Sequence, residues 1–349
     1  MKEHHKPIFL VNSELSQEGK EMNYYSEGEP KHMFQTILRR FVAAIAVAVV
    51  GVLAITAVAA ASPLPASSPQ VATAYTFKTL NDNADPTFNQ LLGINNHGVI
   101  AGYFGSGASG HPNQGYTIKP PYGQGNYTNE NFPGSVQTQV TGINNKGDTV
   151  GFYIDGNGNN FGFVEWNGVF TSYKNPHTGN GTVNQLLGIN DNGIAVGFYT
   201  DSNGVNHAYT LNQATGKFKN IVPPNGNNAI ATGINDHGDV VGFLTGSNGD
   251  TVGFLLKGKS YTEFDFPNST VTNPFGVNLS DQIVGSYVDS NGAMHGFLLS
   301  SPLSHANWKS IDDPNGIGTT TINGLNDKGK LVGFYVDSNG NTDGFLAIK

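Results

Sequence analysis

Short apolar runs separated by Asn- and Gly-rich turns set the pattern of residues 75–349. The fullest copy is GINDNGIAVGFYTDSNGVNHAY, from Gly188 to Tyr209. Its relatives begin at Gly93, Gly142, Gly188, Gly233, Gly276 and Gly324, with spacings of 49, 46, 45, 43 and 48 residues. A period in the forties, built from brief apolar stretches, marks a repeat architecture with one β-unit per copy.

Each unit reads as four strands. The first carries an aromatic and ends near a proline: Pro86, Pro133, Pro176, Pro223, Pro267 and Pro314 hold matching places. Proline has no N–H to donate to a central ladder, which suits an edge strand or the loop leaving it. The second strand ends in Gly-Ile-Asn or a close relative, and a turn such as Asn190-Asp191-Asn192-Gly193 follows. Asn first and Gly fourth is type I turn chemistry, with the glycine left-handed. The fifth copy puts Asp281 at that place, and Asp tolerates it. The third strand, of the Val196-Gly197-Phe198 type, keeps an internal glycine, which implies close approach by neighbouring backbone or a large side chain. Asp-x-Asn-Gly then leads into the fourth strand.

Four-stranded antiparallel sheets repeated six times predict an all-β, six-bladed β-propeller. The Gly-Ile-Asn strand is expected innermost and the aromatic-proline strand outermost. The strand Tyr75–Leu80 would complete the blade that ends at Gly344–Ile348, closing the array and removing the open edges of a linear stack. The rival is an open solenoid, which needs capping sequences that the chain does not display.

The recurring GIN(D/N)xGxxVGxY…DxNGxxHGF pattern resembles the HAF family of extracellular repeats, named for a His-Ala-Phe triplet. His207-Ala208-Tyr209 and His295-Gly296-Phe297 are the nearest matches, and four copies lack the His. The resemblance spans all six units. It implies an exported, repeat-built, propeller-shaped protein and supplies no catalytic residues to carry over.

Composition narrows the function. Charged residues are 13% of the chain and there is no Cys, so neither a disulfide framework nor a thiol site exists. From Ser62 onward there are 12 Lys, no Arg and 20 Asp plus Glu. Such a domain lacks a basic groove for nucleic acid and the Arg forks that clamp phosphate or carboxylate.

Upstream, residues 1–32 read as a polar disordered leader. Residues 33–61 begin at Met33, carry Arg39 and Arg40, and continue as the apolar run Phe41–Ala61. Two readings stay open: a cleaved signal peptide, or a signal-anchor helix with the arginines on the cytoplasmic side. Residues 62–74, rich in Ala, Ser and Pro, form a linker. Either way the repeats are expected outside the cytoplasm, extracellular or periplasmic. The membrane is met only through residues 41–61, and only if they are uncleaved.

Candidate chemistry gathers in the Asp-x-Asn-Gly segments led by Asp155, Asp201, Asp289 and Asp337. Asp337, Asn339 and Asp343 have the look of a short calcium loop, since calcium takes oxygen ligands of this kind. The simpler account is a tight type I′ hairpin made by Asn-Gly, with Asp just outside it. With Asn203-Gly204 as a two-residue turn, Thr200 lies opposite His207, so Asp201 and His207 point to opposite faces. His97 and His237 fall in solvated turns, and the long loop Gly105–Gly115 offers only His111 as a titratable group. Trp166, Trp308, Tyr122 and Tyr127 are candidates for stacking on sugars or for filling gaps between blades. The expected function is a non-enzymatic binding or scaffold module for carbohydrate or a surface protein, with no organic cofactor. The alternative is a calcium- or His/Asp-dependent hydrolase or lyase.

Overall fold

The computed structural model describes residues 75–224, 227–300 and 308–349. The leader, the signal or anchor segment and the linker lie outside the described residues. Among the described residues no helix is long and apolar enough to cross a membrane.

The chain is all-β, built of repeated four-stranded antiparallel sheets. β1 (Thr76–Thr79) precedes a first sheet of β2 (Asn89–Ile94), β3 (Ile100–Phe104), β4 (Gln114–Ile118) and β5 (Tyr127–Asn129). The second holds β6 (Gln137–Ile143), β7 (Thr149–Ile154), β8 (Asn160–Trp166) and β9 (Val169–Tyr173). The third holds β10 (Asn184–Ile189), β11 (Ile194–Thr200), β12 (Asn206–Asn212) and β13 (Lys217–Asn220). Two further sets follow: β14 (Asn227–Ile234), β15 (Val240–Thr245), β16 (Thr251–Lys257) and β17 (Ser260–Phe264), then β18 (Val271–Val277), β19 (Ile283–Val288), β20 (Met294–Leu299) and β21 (Trp308–Ile311). One parallel bridge, Thr251 to Val271, joins these two into a sheet of eight, a link the repeat pattern does not announce. β22 (Thr321–Leu325), β23 (Leu331–Val336) and β24 (Thr342–Ile348) take β1 as their fourth strand, Thr76 opposite Ile348.

The glycine inside each third strand has a specific cause. Every second strand carries a β-bulge, as where the register slips between Leu186 and Gly188 against Gly197 and Val196. The bulge tips the Gln185 carbonyl over Gly197, so a Cβ there would run into that oxygen. Gly151 stands in the same relation to the Gln139 carbonyl. Substitution would force the bulged strand away, which is why the two features recur together.

Apolar residues bury themselves between consecutive sheets. Val150 and Val164 of the second pack with Leu186, Ile189, Tyr209 and Leu211 of the third. Val332 and Leu346 of the last set pack with Leu91, Ile100 and Tyr116 of the first. Each fully buried Leu, Val or Phe contributes about 1.5–3 kcal/mol, so cohesion between sheets rests on these faces. The second strands meet through their glycines: a Cβ on Gly142 would sit 3.1 Å from the Gly188 Cα, and one on Gly188 3.3 Å from that of Gly233. The bulged residues Leu92, Thr141, Leu187, Thr232, Phe275 and Asn323 border a cavity of about 100 Å³.

Candidate functional site

At one end of the sheets lie the turns joining second to third strands. Asn190 accepts the N–H groups of Asn192 and Ile194 on its Oδ1, and its Nδ2 donates to the backbone carbonyl of Asn235, 3.0 Å away. The same donation runs from Asn95 to Asn144, Asn144 to Asn190, Asn235 to Asn278, Asn278 to Asn326, and Asn326 to Asn95. A second series follows one residue later, where the Asn145 N–H donates to Asp191 Oδ1 and the Asp191 N–H to Asp236 Oδ1. Leu279 interrupts it, having no side-chain acceptor. Burial and the neighbouring Asp191 carboxylate hold Asp236 above its usual range. These side chains frame a cavity of about 90 Å³. Their amides are consumed in joining one unit to the next.

The opposite end carries the proline loops and the Asp-x-Asn-Gly turns. At four of the six prolines the preceding residue is anchored alike: the N–H of Phe132, Asn175, Phe266 and Asp313 donates to the side chains of Thr138, Asn184, Thr272 and Thr320 respectively. Where this residue is Phe it plugs the space beside the next unit's tyrosine. Phe132 stacks on Tyr153 with ring centres 3.8 Å apart, and Phe266 on Tyr287 at 3.5 Å. Asn175 and Asp313 bring polar groups to the equivalent place, where they are fully buried. Asn175 Nδ2 and Asp313 Oδ2 have no hydrogen-bond partner. Buried polar atoms are normally satisfied, so these two carry a cost that Phe132 and Phe266 do not. Nothing in the local sequence distinguishes them from ordinary loop residues; the signal is comparison with Phe132 and Phe266.

The His and Asp side chains of this end correct the sequence-based expectation. Tyr199 faces His207 and Thr200 faces Asn206, one residue away from the expected register. The turn is not type I′. Its N–H groups run from Asp201 to the Val205 carbonyl and from Gly204 to the Asp201 carbonyl, and Gly204, at φ 80°, takes the left-handed place without Asn203. A type I turn with a bulge residue leaves Asp201 outside the strand's alternation. Its Oδ1 accepts from the Asn203 and Val205 N–H groups, while its Oδ2 lies 3.0 Å from His207 Nε2. The His207 ring stacks on Tyr199 at 4.9 Å, and His177 lies 6.2 Å from the same tyrosine. The His207 side chain is 38% exposed and Asp201 24%. Hydrogen bonds, first from His207 and then from Val205, hold Asp201 below the usual carboxylate range.

His295 is set more deeply. Its Nδ1 lies 2.8 Å from Asp312 Oδ2 and its Nε2 3.6 Å from Asp289 Oδ2. The Asp312 hydrogen bond leads the causes that raise its pKa, over the opposing effect of burial. His111, in the long loop, reaches Asp85 Oδ2 at 2.7 Å. Burial alone would raise Asp85, but hydrogen bonds from Thr87 and His111 outweigh it and hold the carboxyl down. Asp85 and Asp312, neither singled out in the sequence, are thus the partners of two histidines.

The expected calcium loop is divided between neighbours. Asp337 Oδ1 accepts the N–H groups of Asn339 and Asn341, and its Oδ2 accepts both of their side-chain amides. Asp343 instead accepts from Asn81 Nδ2 at 2.6 Å. Among the described residues no three His, Asp or Glu side chains gather as a metal-ligand set. His97 and His237 are exposed. Trp166 and Trp308 pack against inter-sheet cores, and Tyr122 and Tyr127 against that of the first sheet.

No family model matches this chain, and no curated protein does. Among solved structures, a mutant of the Aleuria aurantia lectin in complex with Fucalpha1-6GlcNAc is 11% identical, covering 74% of this chain and 91% of that one, with a TM-score of 0.45. AofleA from Arthrobotrys oligospora is 11% identical over 78% of this chain and 81% of its own, at 0.44. TolB from Acinetobacter baumannii is 10% identical over 76% and 66%, at 0.46. At these scores the likeness carries no functional argument.

Proposed function

We propose that this chain is an exported, non-enzymatic binding module of the HAF repeat type, folded as a closed six-bladed β-propeller that engages carbohydrate. The donation from Asn326 to Asn95 and the pairing of β1 with β24 support the closed form. The observation that carries the function is the third unit's polar cluster. There Asn175 occupies the place of an aromatic plug and keeps an unpartnered buried amide, while His177 and His207, the latter held by Asp201, flank the buried Tyr199 ring and stand at the surface. Donors and acceptors on a half-exposed rim, with the partly exposed His207 ring among them, suit the hydroxyls of a sugar. Screening the full-length chain against immobilised glycans tests it. Binding that weakens at least tenfold in His207→Ala and Asn175→Ala supports the reading; unchanged binding in both, or no glycan bound, overturns it.

One observation favours a second reading. Asp201 orients the His207 ring by a 3.0 Å contact, the arrangement a general base requires. A panel of aryl glycosides and esters separates the two: turnover lost in His207→Ala would make the protein a hydrolase or lyase.

A further inference from the structure

The last unit holds an unexplained carboxylate. Asp313 is 0% exposed and accepts the Asn315 N–H on Oδ1 at 2.9 Å, yet its Oδ2 has no hydrogen-bond partner. A bare buried carboxylate oxygen is costly unless a proton or a cation neutralises it. Phe132 and Phe266 show that the fold accepts an apolar side chain at this place, so packing does not require an acid here.

Tyr335 of β23 stands directly opposite Asp343 of β24 in the strand register, and its side chain lies against Gly316, whose N–H closes the turn onto the Asp313 carbonyl. Tyr335 of β23 hydrogen-bonds Thr79 of β1 at 3.1 Å, and the charges of Asp313 and Asp343 both bear on its phenol. Asp343 of β24 is tied by Oδ1 to Asn81, just beyond β1. Burial leads the causes that raise Asp313, and the Asp343 charge adds to it against the Asn315 hydrogen bonds. Among the described residues no cationic side chain pairs with Asp313 or Asp343. A single proton would neutralise only one of the two carboxylates.

We propose that Asp313 and Asp343 bind a hard divalent cation, of the calcium class, that fastens β1 and the loop before β22 to β24. Two carboxylates beside the Tyr335 and Thr79 hydroxyls form an all-oxygen donor set, which calcium takes in flexible geometry and softer metals do not favour. The site shares Asp343 with the short loop read from the sequence and replaces Asp337, whose oxygens are occupied within their own turn.

Thermal unfolding of the full-length chain, with millimolar calcium chloride against EGTA, tests the site. The expected result is an upward shift of roughly 2–5 °C, lost in Asp313→Asn and in Asp343→Asn and kept in Asp337→Asn. Equilibrium dialysis with calcium should find one bound ion in the parent chain and none in Asp343→Asn, which keeps the site testable if Asp313→Asn fails to fold. No shift in the parent, or a shift abolished by Asp337→Asn and retained by Asp313→Asn, overturns the proposal. So does an Asp313→Asn variant more stable than the parent in EGTA when the parent ignores calcium, the mark of a protonated carboxyl.

Discussion

Asn190-Asp191-Asn192-Gly193 at one end of the third sheet and Asp201-Ser202-Asn203-Gly204 at the other fold into the same turn. Each lead residue accepts the N–H groups two and four places on with its Oδ1, and each closing glycine is left-handed. The difference is one side-chain group. The asparagine's remaining atom is a donor and reaches the carbonyl of the next unit; the aspartate's is an acceptor and turns to His207. An amide therefore joins neighbouring units where a carboxylate leaves a charge at the surface, although the backbone is alike. One end is consumed in joining units, and the other keeps its carboxylate beside a histidine at the surface.

Exchanging those groups should break the comparison most sharply. Asn190→Asp keeps the turn but removes the donor to the Asn235 carbonyl and buries a charge near Asp191 and Asp236. A loss of about 3 kcal/mol or more is expected in urea unfolding. The reciprocal Asp201→Asn should leave the unfolding midpoint where it was and affect only ligand binding. If both variants lose stability equally, the two ends do not differ in the way described.

The plug position gives the next largest effect. Phe266 stacks on Tyr287 and meets Trp308 edge-on. Phe266→Asn should cost about 2–4 kcal/mol by denaturant titration. Asn175→Phe should raise the unfolding midpoint, because it removes an unpartnered buried amide, while abolishing glycan binding.

Acidity offers a smaller test. The pKa of His295 is raised in the fold, mainly by Asp312, so its charged form is favoured there. That stability is fully present below the unfolded histidine value, about 6.5, and is lost as pH rises through the folded value. His295→Gln should flatten this slope between mildly acidic and neutral pH in thermal scans; an unchanged slope would assign it to another group. The smallest effect is a gain: Leu279→Asn, supplying the acceptor at the gap in the second hydrogen-bond series, should add about 0.5–1 kcal/mol.

Much of the framework was legible in the letters. Alternating apolar residues and Asn-Gly punctuation locate strands and turns because both are local, and Asp281 takes the left-handed place at φ 56°, as its side chain allows. The bulge behind each third-strand glycine was signalled only as a close approach. One expectation differs from the fold for a definable reason. The Asp-x-Asn-Gly register slipped by one residue because a turn with one left-handed residue and a turn with two share the same letters. That slip turned Asp201 away from His207 on paper and towards it in the fold. Trp166 and Trp308 take the gap-filling place, one of the two roles open to them, and burial between sheets is what one strand alone does not disclose.

The sequence alone determined the unit: its four strands, its turn chemistry and its sixfold recurrence, all products of backbone preference over a few residues. Which groups meet between units was decided only by tertiary structure. Asn190 reaches Asn235, His295 reaches Asp312, Tyr335 reaches Thr79, and Phe132 but not Asn175 stacks on a tyrosine. Such contacts join residues far apart in the chain, or turn on how a loop returns across a sheet. Neither periodicity nor propensity encodes them, and burial then determines whether each polar atom finds a partner.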